Sequence, residues 1–204
     1  MNTYAILLSG DITITQRLRK QLIGCTIIAA DSGIRHADQL DLPVDLWVGD
    51  FDSASASLQR GFADVPREEW SANKDLTDGE IAIAAAYRKG AQSIILVGAM
   101  GGRTDHATNH ILKSFNMSGR VMLTSGKEEG MPIRGEITTD WQSGTEFSVL
   151  AFDDLQGLTI KGAKWPLDNV YVQYGSGWTI SNVVDGELKI TLKSGRAFLI
   201  GNLG

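Results

Sequence analysis

Apolar residues recur in two different rhythms along this 204-residue chain. Up to Gly126, short apolar runs of strand type alternate with segments of helical spacing. The strand-like runs are Tyr4–Leu8, Thr26–Ala30, Asp45–Val48, Ser93–Val97 and Arg120–Thr124. Helical spacing covers Ile12–Leu22, Ile34–Leu40, Thr77–Lys89 and Arg103–Phe115. Thr77 and Glu80 have the spacing of a capping box, and Gly90 supplies a stop. Strands alternating with helices predict a mainly parallel sheet with helices on both faces, a three-layer α/β domain over residues 1–126.

Beyond Gly126 the helical period fades. Runs at Thr145–Ala151, Leu158–Lys161, Val170–Tyr174, Trp178–Val183, Leu188–Leu192 and Arg196–Ile200 are separated by Gly, Asp and Asn. Asp185-Gly186 and Ser194-Gly195 have the composition of hairpin turns. This predicts an all-β second domain over 127–204, a sandwich, with Lys127-Glu128-Glu129-Gly130 as the junction.

Hydrophobic residues make up 43% of the chain and charged ones 21%, as in an ordinary globular protein. The net charge of −5 comes without a basic cluster, so nucleic acid and anionic membrane are poor partners. A single cysteine, Cys25, sits in an apolar run, excludes an internal disulfide and reads as a buried thiol. With no leader-like start and no apolar stretch approaching ~20 residues, a cytoplasmic location is expected.

Candidate chemistry gathers where the strands end. Asp31 follows the second run, Asp50 and Asp52 the third, and Gly98 to Arg103 a later one. Ligands of open α/β sheets bind beyond the carboxyl ends of the strands. If Asp50-Phe51-Asp52 is extended, its two carboxylates share a face roughly 6–7 Å apart. That pairing is costly unless a cation neutralises it, and oxygen donors suit Mg²⁺. Asp31 and Ser53 can also be read as helix caps, and Asp75 and Asp78 as helix-dipole partners. Lys74 is a surface charge or a phosphate contact. Gly101 and Gly102 would let backbone N–H groups approach phosphate, with Arg103 adding a bidentate contact. Asp105 could hold metal or activate a hydroxyl. His106 and His110 stand four apart, a spacing that can bind zinc, but no HExxH pattern surrounds them. Neither a Walker A sequence nor GxGxxG occurs. In the β region Trp178 is flanked by glycines, an odd setting for a core residue. Exposed, it would suit stacking on a cationic ring.

Together these segments resemble the thiamine pyrophosphokinases. The motifs are Asp31-Ser32-Gly33, Gly49-Asp50-Phe51-Asp52-Ser53, Lys74-Asp75-Leu76-Thr77-Asp78 with Glu80, Gly101-Gly102-Arg103-Thr104-Asp105-His106 and Ser181-Asn182. They occur in the family's order along nearly the whole chain. Two departures stand out: Asp31-Ser32-Gly33 replaces the usual Asp-Gly-Gly, and His110, beside Asn109, stands where the family carries Asn.

The resemblance implies a homodimer that moves the terminal pyrophosphoryl unit of ATP onto thiamine's hydroxyethyl group, releasing AMP. It implies ATP and Mg²⁺ on the α/β domain, and thiamine between that domain and the partner subunit's β domain. Asp50, Asp52 and Asp78 are then expected at Mg²⁺ and the reacting phosphates, with Arg103 and Lys74 stabilising the transferred charge. Asp31, Gly33, Asp75, Thr77, Gly101, Gly102 and Asp105 complete the nucleotide site. Trp178 would stack on thiamine, with Ser181 and Asn182 hydrogen-bonding it. A pyrophosphokinase for another small alcohol, such as a hydroxymethyl pterin, and a non-catalytic nucleotide sensor are the rival readings.

Overall fold

The computed structural model describes residues 2–51, 54–70 and 76–204. Contacts divide the chain into two units, Met1–His110 with Met117–Gly126, and Ile111–Asn116 with Lys127–Gly204.

Six parallel strands build the sheet of the first unit: β1 (Thr3–Leu7), β2 (Thr26–Ala30), β3 (Leu46–Gly49), β4 (Arg67–Glu69), β5 (Ser93–Val97) and β6 (Arg120–Thr124). Their order is β6-β5-β1-β2-β3-β4. The connections run outward in one direction from β1 and resume on its other side at β5, which makes the β1–β5 boundary the switch point. Strands β1, β2 and β5 are buried over nearly their whole length, as a sheet covered on both faces requires. Ala5, Leu7, Ile27, Ala29, Ile95 and Val97 point to one face. There they pack with Leu18 and Leu22 of α1 (Gln16–Leu22) and Ala37 and Leu40 of α2 (Arg35–Leu40). Helix α4 (Asp78–Arg88) packs across β1, β2 and β3 through Ile81, Ala82 and Ala85, outside that cluster and on the opposite face.

Most of the expected elements are present, with shifted ends. Helix α4 begins at a complete capping box: Thr77 Oγ1 accepts the Glu80 N–H at 3.3 Å, and Glu80 Oε2 accepts the Thr77 N–H at 3.0 Å. Replacing Thr77 by Ala should therefore cost about 1 kcal/mol. That lowers the melting temperature by roughly 2–4 °C for a chain of this size, which calorimetry would read; an unchanged melting temperature would show that the cap is idle. The segment Ile34–Leu40 is preceded by a 3₁₀ turn, Asp31–Ile34, whose first residue has φ +45°. Two elements carry no sequence rhythm. Helix α3 (Ala56–Gly61) starts at a Ser55 cap, and β4 is a three-residue polar edge strand. Arg67 of β4 is held by its neighbours, its guanidinium 4.7 Å from the Trp47 ring centre and 5.4 Å from that of Phe51. Cys25 is half-buried rather than buried; its thiol donates to the Gln21 carbonyl, and burial raises its pKa.

Helix α5 (Thr104–Ser114) starts in the first unit, and its last turn groups with the second. The second unit is otherwise antiparallel strand: β7 (Glu128–Ile133), β8 (Glu136–Thr138), β9 (Glu146–Ala151), β10 (Leu155–Ala163), β11 (Leu167–Val172), β12 (Asn182–Thr191) and β13 (Ala197–Asn202). One sheet places β13 between β7 and β9. The other runs β8-β12-β10-β11. Inward residues of both, such as Phe147, Val149, Leu158, Ile160, Leu188 and Ile190, form the sandwich core.

The junction expected at Lys127–Gly130 coincides with the start of the second unit at Lys127; β7 begins at once at Glu128, with Glu129 buried and accepting the Trp141 indole N–H at 2.9 Å. Two expectations for this unit are corrected. Asp185-Gly186 is not a hairpin turn but a bulge inside β12. Asn182 and Val183 pair with β9, Val184 pairs with Ala163 of β10, the exposed Asp185-Gly186-Glu187 bulge out at a register shift, and Lys189–Thr191 pair with β10 and β8. Gly186 takes φ +101° at that bulge. Ser194-Gly195 does turn the chain, but it joins β12 to β13, which pair with other strands and not with each other. Among the described residues no helix is long and apolar enough to cross a membrane.

Candidate active site

The sequence places polar groups at the carboxyl edge of the parallel sheet, and a cleft of about 250 Å³ lies there. Its floor is Leu8, Ser9, Ala30 and Asp31, at the ends of β1 and β2. One wall is the first turn of α4, Thr77, Asp78 and Gly79. The other is the first two turns of α5, Asp105, His106, Asn109 and His110. Two helix N-termini thus open into one space, and each presents the positive end of its dipole. Such ends attract phosphate. Three carboxylates in the same cleft attract cations. Both tendencies are met at once by a phosphate chain that carries a divalent ion.

Of the anticipated residues, Asp31, Thr77, Asp78 and Asp105 line this cleft together. Asp31 has a left-handed backbone, uncommon outside glycine, and its carbonyl accepts the indole N–H of the fully buried Trp47 at 2.8 Å. Asp50 is half-buried just past β3 and is not part of the lining. The backbone at Phe51 is not extended: the residue takes φ +62° and buries its ring edge-on against Trp47, centroids 4.8 Å apart. Asp52, Lys74 and Asp75 fall outside the described residues.

Arg103 and Asp105 face each other. The guanidinium donates through Nε at 3.1 Å and through a second, shorter bond. It pulls the exposed Asp105 carboxyl down to about 2, so Asp105 is an anion at any physiological pH. Arg103 is spent on this pair and stands out of the lining.

The glycines hold backbone against backbone. A methyl on Gly10 would lie 2.0 Å from the Gly98 carbonyl oxygen, and one on Gly101 would lie 2.0 Å from that of Asp11. Gly102 takes φ +86°. The loops after β1 and β5 therefore interlock at the switch point. Gly33 plays a similar part, its α-carbon pressed on the Leu7 carbonyl.

A second support comes from α2, whose Arg35 donates to the Ser9 carbonyl and whose His36 Nε2 donates to the Gly10 carbonyl at 2.9 Å. Burial lowers the pKa of His36 below its ordinary 6.5, against a smaller raising effect of its bond to Gly10. A folded-state pKa below the unfolded one means that protons favour the unfolded chain. The stability His36 contributes is thus present above pH 6.5 and lost as pH falls through that value and the lower folded one. Melting curves at pH 7.5 and 5.5 should show a smaller acid loss in His36→Gln than in the parent chain. Equal losses would exonerate His36.

In the second unit, Trp178 is 58% exposed, on the loop between β11 and β12. Thr179 pins that loop to β9, its hydroxyl donating to the Val149 carbonyl and its carbonyl accepting the Val149 N–H. Ser181, at φ +60°, is also exposed. Asn182 behaves otherwise. It is buried, with Nδ2 donating to the Trp165 carbonyl at 2.8 Å and Oδ1 accepting the Trp165 and Val183 N–H groups. Its amide is a brace for the β10–β11 turn, which its sequence position beside Ser181 did not reveal. Ser9, Gly79, Asn109 and the two histidines are lining residues that no site assignment from sequence included, although the i, i+4 spacing of His106 and His110 already put both on one face of α5.

A parallel α/β sheet with an acidic, phosphate-attracting cleft at its carboxyl edge, joined to a β-sandwich, defines a phosphate-handling enzyme of two domains. The comparisons with known proteins agree on which one. The thiamin pyrophosphokinase catalytic domain matches residues 21–122, and the thiamin pyrophosphokinase vitamin B1 binding domain matches residues 136–197. The thiamine pyrophosphokinase of Bacillus subtilis is 30% identical over 166 residues, which covers 77% of this chain and 73% of that protein. Among solved structures, the Bacillus subtilis thiamine pyrophosphokinase superposes with a TM-score of 0.85 at 22% identity, covering all of both chains. That of Geobacillus thermodenitrificans gives 0.80 at 25% identity, over 99% of this chain and 97% of the other. The Candida albicans enzyme gives 0.82 at 16% identity, over 100% and 89%. This chain belongs to the thiamin pyrophosphokinase family.

Proposed function

We propose that this chain transfers the terminal pyrophosphoryl group of ATP to the hydroxyl of thiamine, giving thiamine diphosphate and AMP. The observation that carries this is the cleft in which Asp31, Asp78 and Asp105 meet the N-termini of α4 and α5. Transfer of this kind rests on positioning and charge neutralisation. The helix ends and the Thr77–Gly79 turn would hold phosphate oxygens, and the acids would hold the cation that accompanies them.

The donor chemistry fits Mg²⁺. The three acids offer hard oxygen ligands, and among the described residues no three His, Cys, Asp or Glu side chains converge into a closed cage. Mg²⁺ keeps several waters and takes one or two carboxylates plus substrate phosphates, which an open set of acids supplies. When bound, it would offset the charge of the phosphates. Asp78 and Asp31 are its first protein ligands, and Asp50 and Asp52 follow from the motif they share. Lys74 and Asp75 belong to the phosphate site on the same ground. Arg103 fixes Asp105 and becomes a phosphate contact once a ligand competes for it.

Thiamine is a cation, and the exposed Trp178 with Ser181 offers it a stacking face and a hydroxyl. We place it against the β domain of a second subunit in a cytoplasmic homodimer. Incubation with ATP, Mg²⁺ and thiamine should yield AMP and thiamine diphosphate in equal amounts, abolished by a chelator. ADP as product would mean single-phosphoryl transfer, and no turnover with thiamine would send the search to other alcohols.

A further inference from the structure

His110 lines the cleft from the second turn of α5 and has a fixed orientation. Its Nδ1 lies 3.1 Å from the Ala99 carbonyl oxygen. A carbonyl only accepts, so Nδ1 carries the proton. Burial lowers the pKa of the ring, ahead of the smaller opposing effects of Ala99 and Glu80, so it is neutral near pH 7. Nε2 therefore presents a lone pair. A methyl built on Gly79 would stand 3.8 Å from that nitrogen, so Nε2 looks across to the first turn of α4.

The lone pair restricts what can sit beside it. A phosphate oxygen is itself an acceptor and is repelled. The Mg²⁺ of the proposed site takes oxygen ligands in preference to an imidazole nitrogen. What remains is a hydrogen-bond donor. Of the groups in the proposed transfer, the alcohol of the acceptor must lie beside the phosphates held at the helix ends, and it must lose a proton.

We propose that His110 Nε2 accepts the hydrogen bond of the acceptor's hydroxyl and takes its proton during transfer. This rests on the function proposed above. The alcohol oxygen forms a bond to the β-phosphorus as the bond from that phosphorus to the α–β bridging oxygen breaks. The electron pair leaves on AMP, and the hydroxyl proton ends on Nε2.

The test compares the parent chain with His110→Asn and Gly79→Ala, using AMP release and, separately, ATP binding by calorimetry. His110→Asn should lower kcat by about 10²-fold, the scale of proton-transfer catalysis, while ATP affinity stays at the parent value. Gly79→Ala sets a methyl 3.8 Å from Nε2 and 3.1 Å from Leu8 Cδ2, so its melting curve is recorded with its kcat to separate a loss of fold from a loss of turnover. In ¹⁵N-labelled protein, His110 should show a protonated Nδ1 and a bare Nε2 whose resonance moves on adding thiamine with a non-hydrolysable ATP analogue. A kcat within about twofold of the parent in His110→Asn, read as lost transition-state stabilisation, would overturn the inference, as would a proton on Nε2. A parent chain that releases no AMP with thiamine removes the proposed function and this inference together, a result distinct from an active parent with an equally active His110→Asn.

Discussion

Asp31→Asn and Asp78→Asn should each lower turnover with ATP, Mg²⁺ and thiamine by about 10²–10³-fold, the usual loss when one charge is removed from a preorganised phosphoryl-transfer site. The two substitutions are chosen because the fold should survive them. Asp31 occupies the left-handed region at φ +45°, which Asn tolerates as readily as Asp, and its carbonyl bond to Trp47 is a backbone contact that the change leaves alone. Asp78 opens α4 and interacts with its dipole, so its neutralisation costs about 0.3–1 kcal/mol. That is roughly 1–4 °C in melting temperature. Turnover and melting curves measured together separate the two effects. If both variants kept near-parent turnover, the cleft would lose its claim to the chemistry. Asp52→Asn should behave in the same way on the strength of its motif.

Legibility in the sequence followed burial and local chemistry. Strands β1, β2 and β5 were readable because a parallel sheet with helices on both faces demands unbroken apolar runs, and Ala5 to Leu7, Ile27 to Ala30 and Ile94 to Val97 are such runs. Helix α4 was readable because its start is encoded by two residues three apart, Thr77 and Glu80. Edge strand β4 was not, since Arg67-Glu68-Glu69 has no apolar face to bury and is held by pairing with β3 and by contacts of its charged side chains. The bulge in β12 was misread for a related reason. Asp185-Gly186 has turn chemistry, and only the pairing of both flanks with β10, Val184 to Ala163 and Lys189 to Lys161, shows that the chain bulges there without reversing. At the site, Asp31, Thr77, Asp78 and Asp105 could be anticipated because each sits at a strand end or a helix start. The turn at Phe51 could not, because an alternation argument assumes extended backbone, and Phe51 leaves it to bury its ring. The bracing bonds of Asn182 were not legible, because a polar residue in a motif has the same appearance in sequence whether it faces a ligand or braces a turn.

Gly101→Ala should be among the most damaging single-methyl changes in the first unit. The added carbon would lie 2.0 Å from the Asp11 carbonyl oxygen, 2.8 Å from its carbon and 2.9 Å from the Asp11 nitrogen. All three are backbone atoms, so no side-chain rotation relieves the clash. One of the two interlocked loops has to move, and the Asp11 loop is tied through Gly10 to Gly98 and to His36. A loss of about 3 kcal/mol is expected, within the upper range for overpacked positions. It corresponds to roughly 6–12 °C in melting temperature. Because the same loops form the floor and one wall of the cleft, ATP affinity should fall in the variant even well below its melting point. Gly61→Ala is the control: it sits at the end of α3 with open space around the position. Alanine there should be neutral or slightly stabilising, as the better helix former. A Gly101→Ala chain that melted with the parent would mean that the loop after β5 yields easily, and that the switch-point interlock does not shape the cleft.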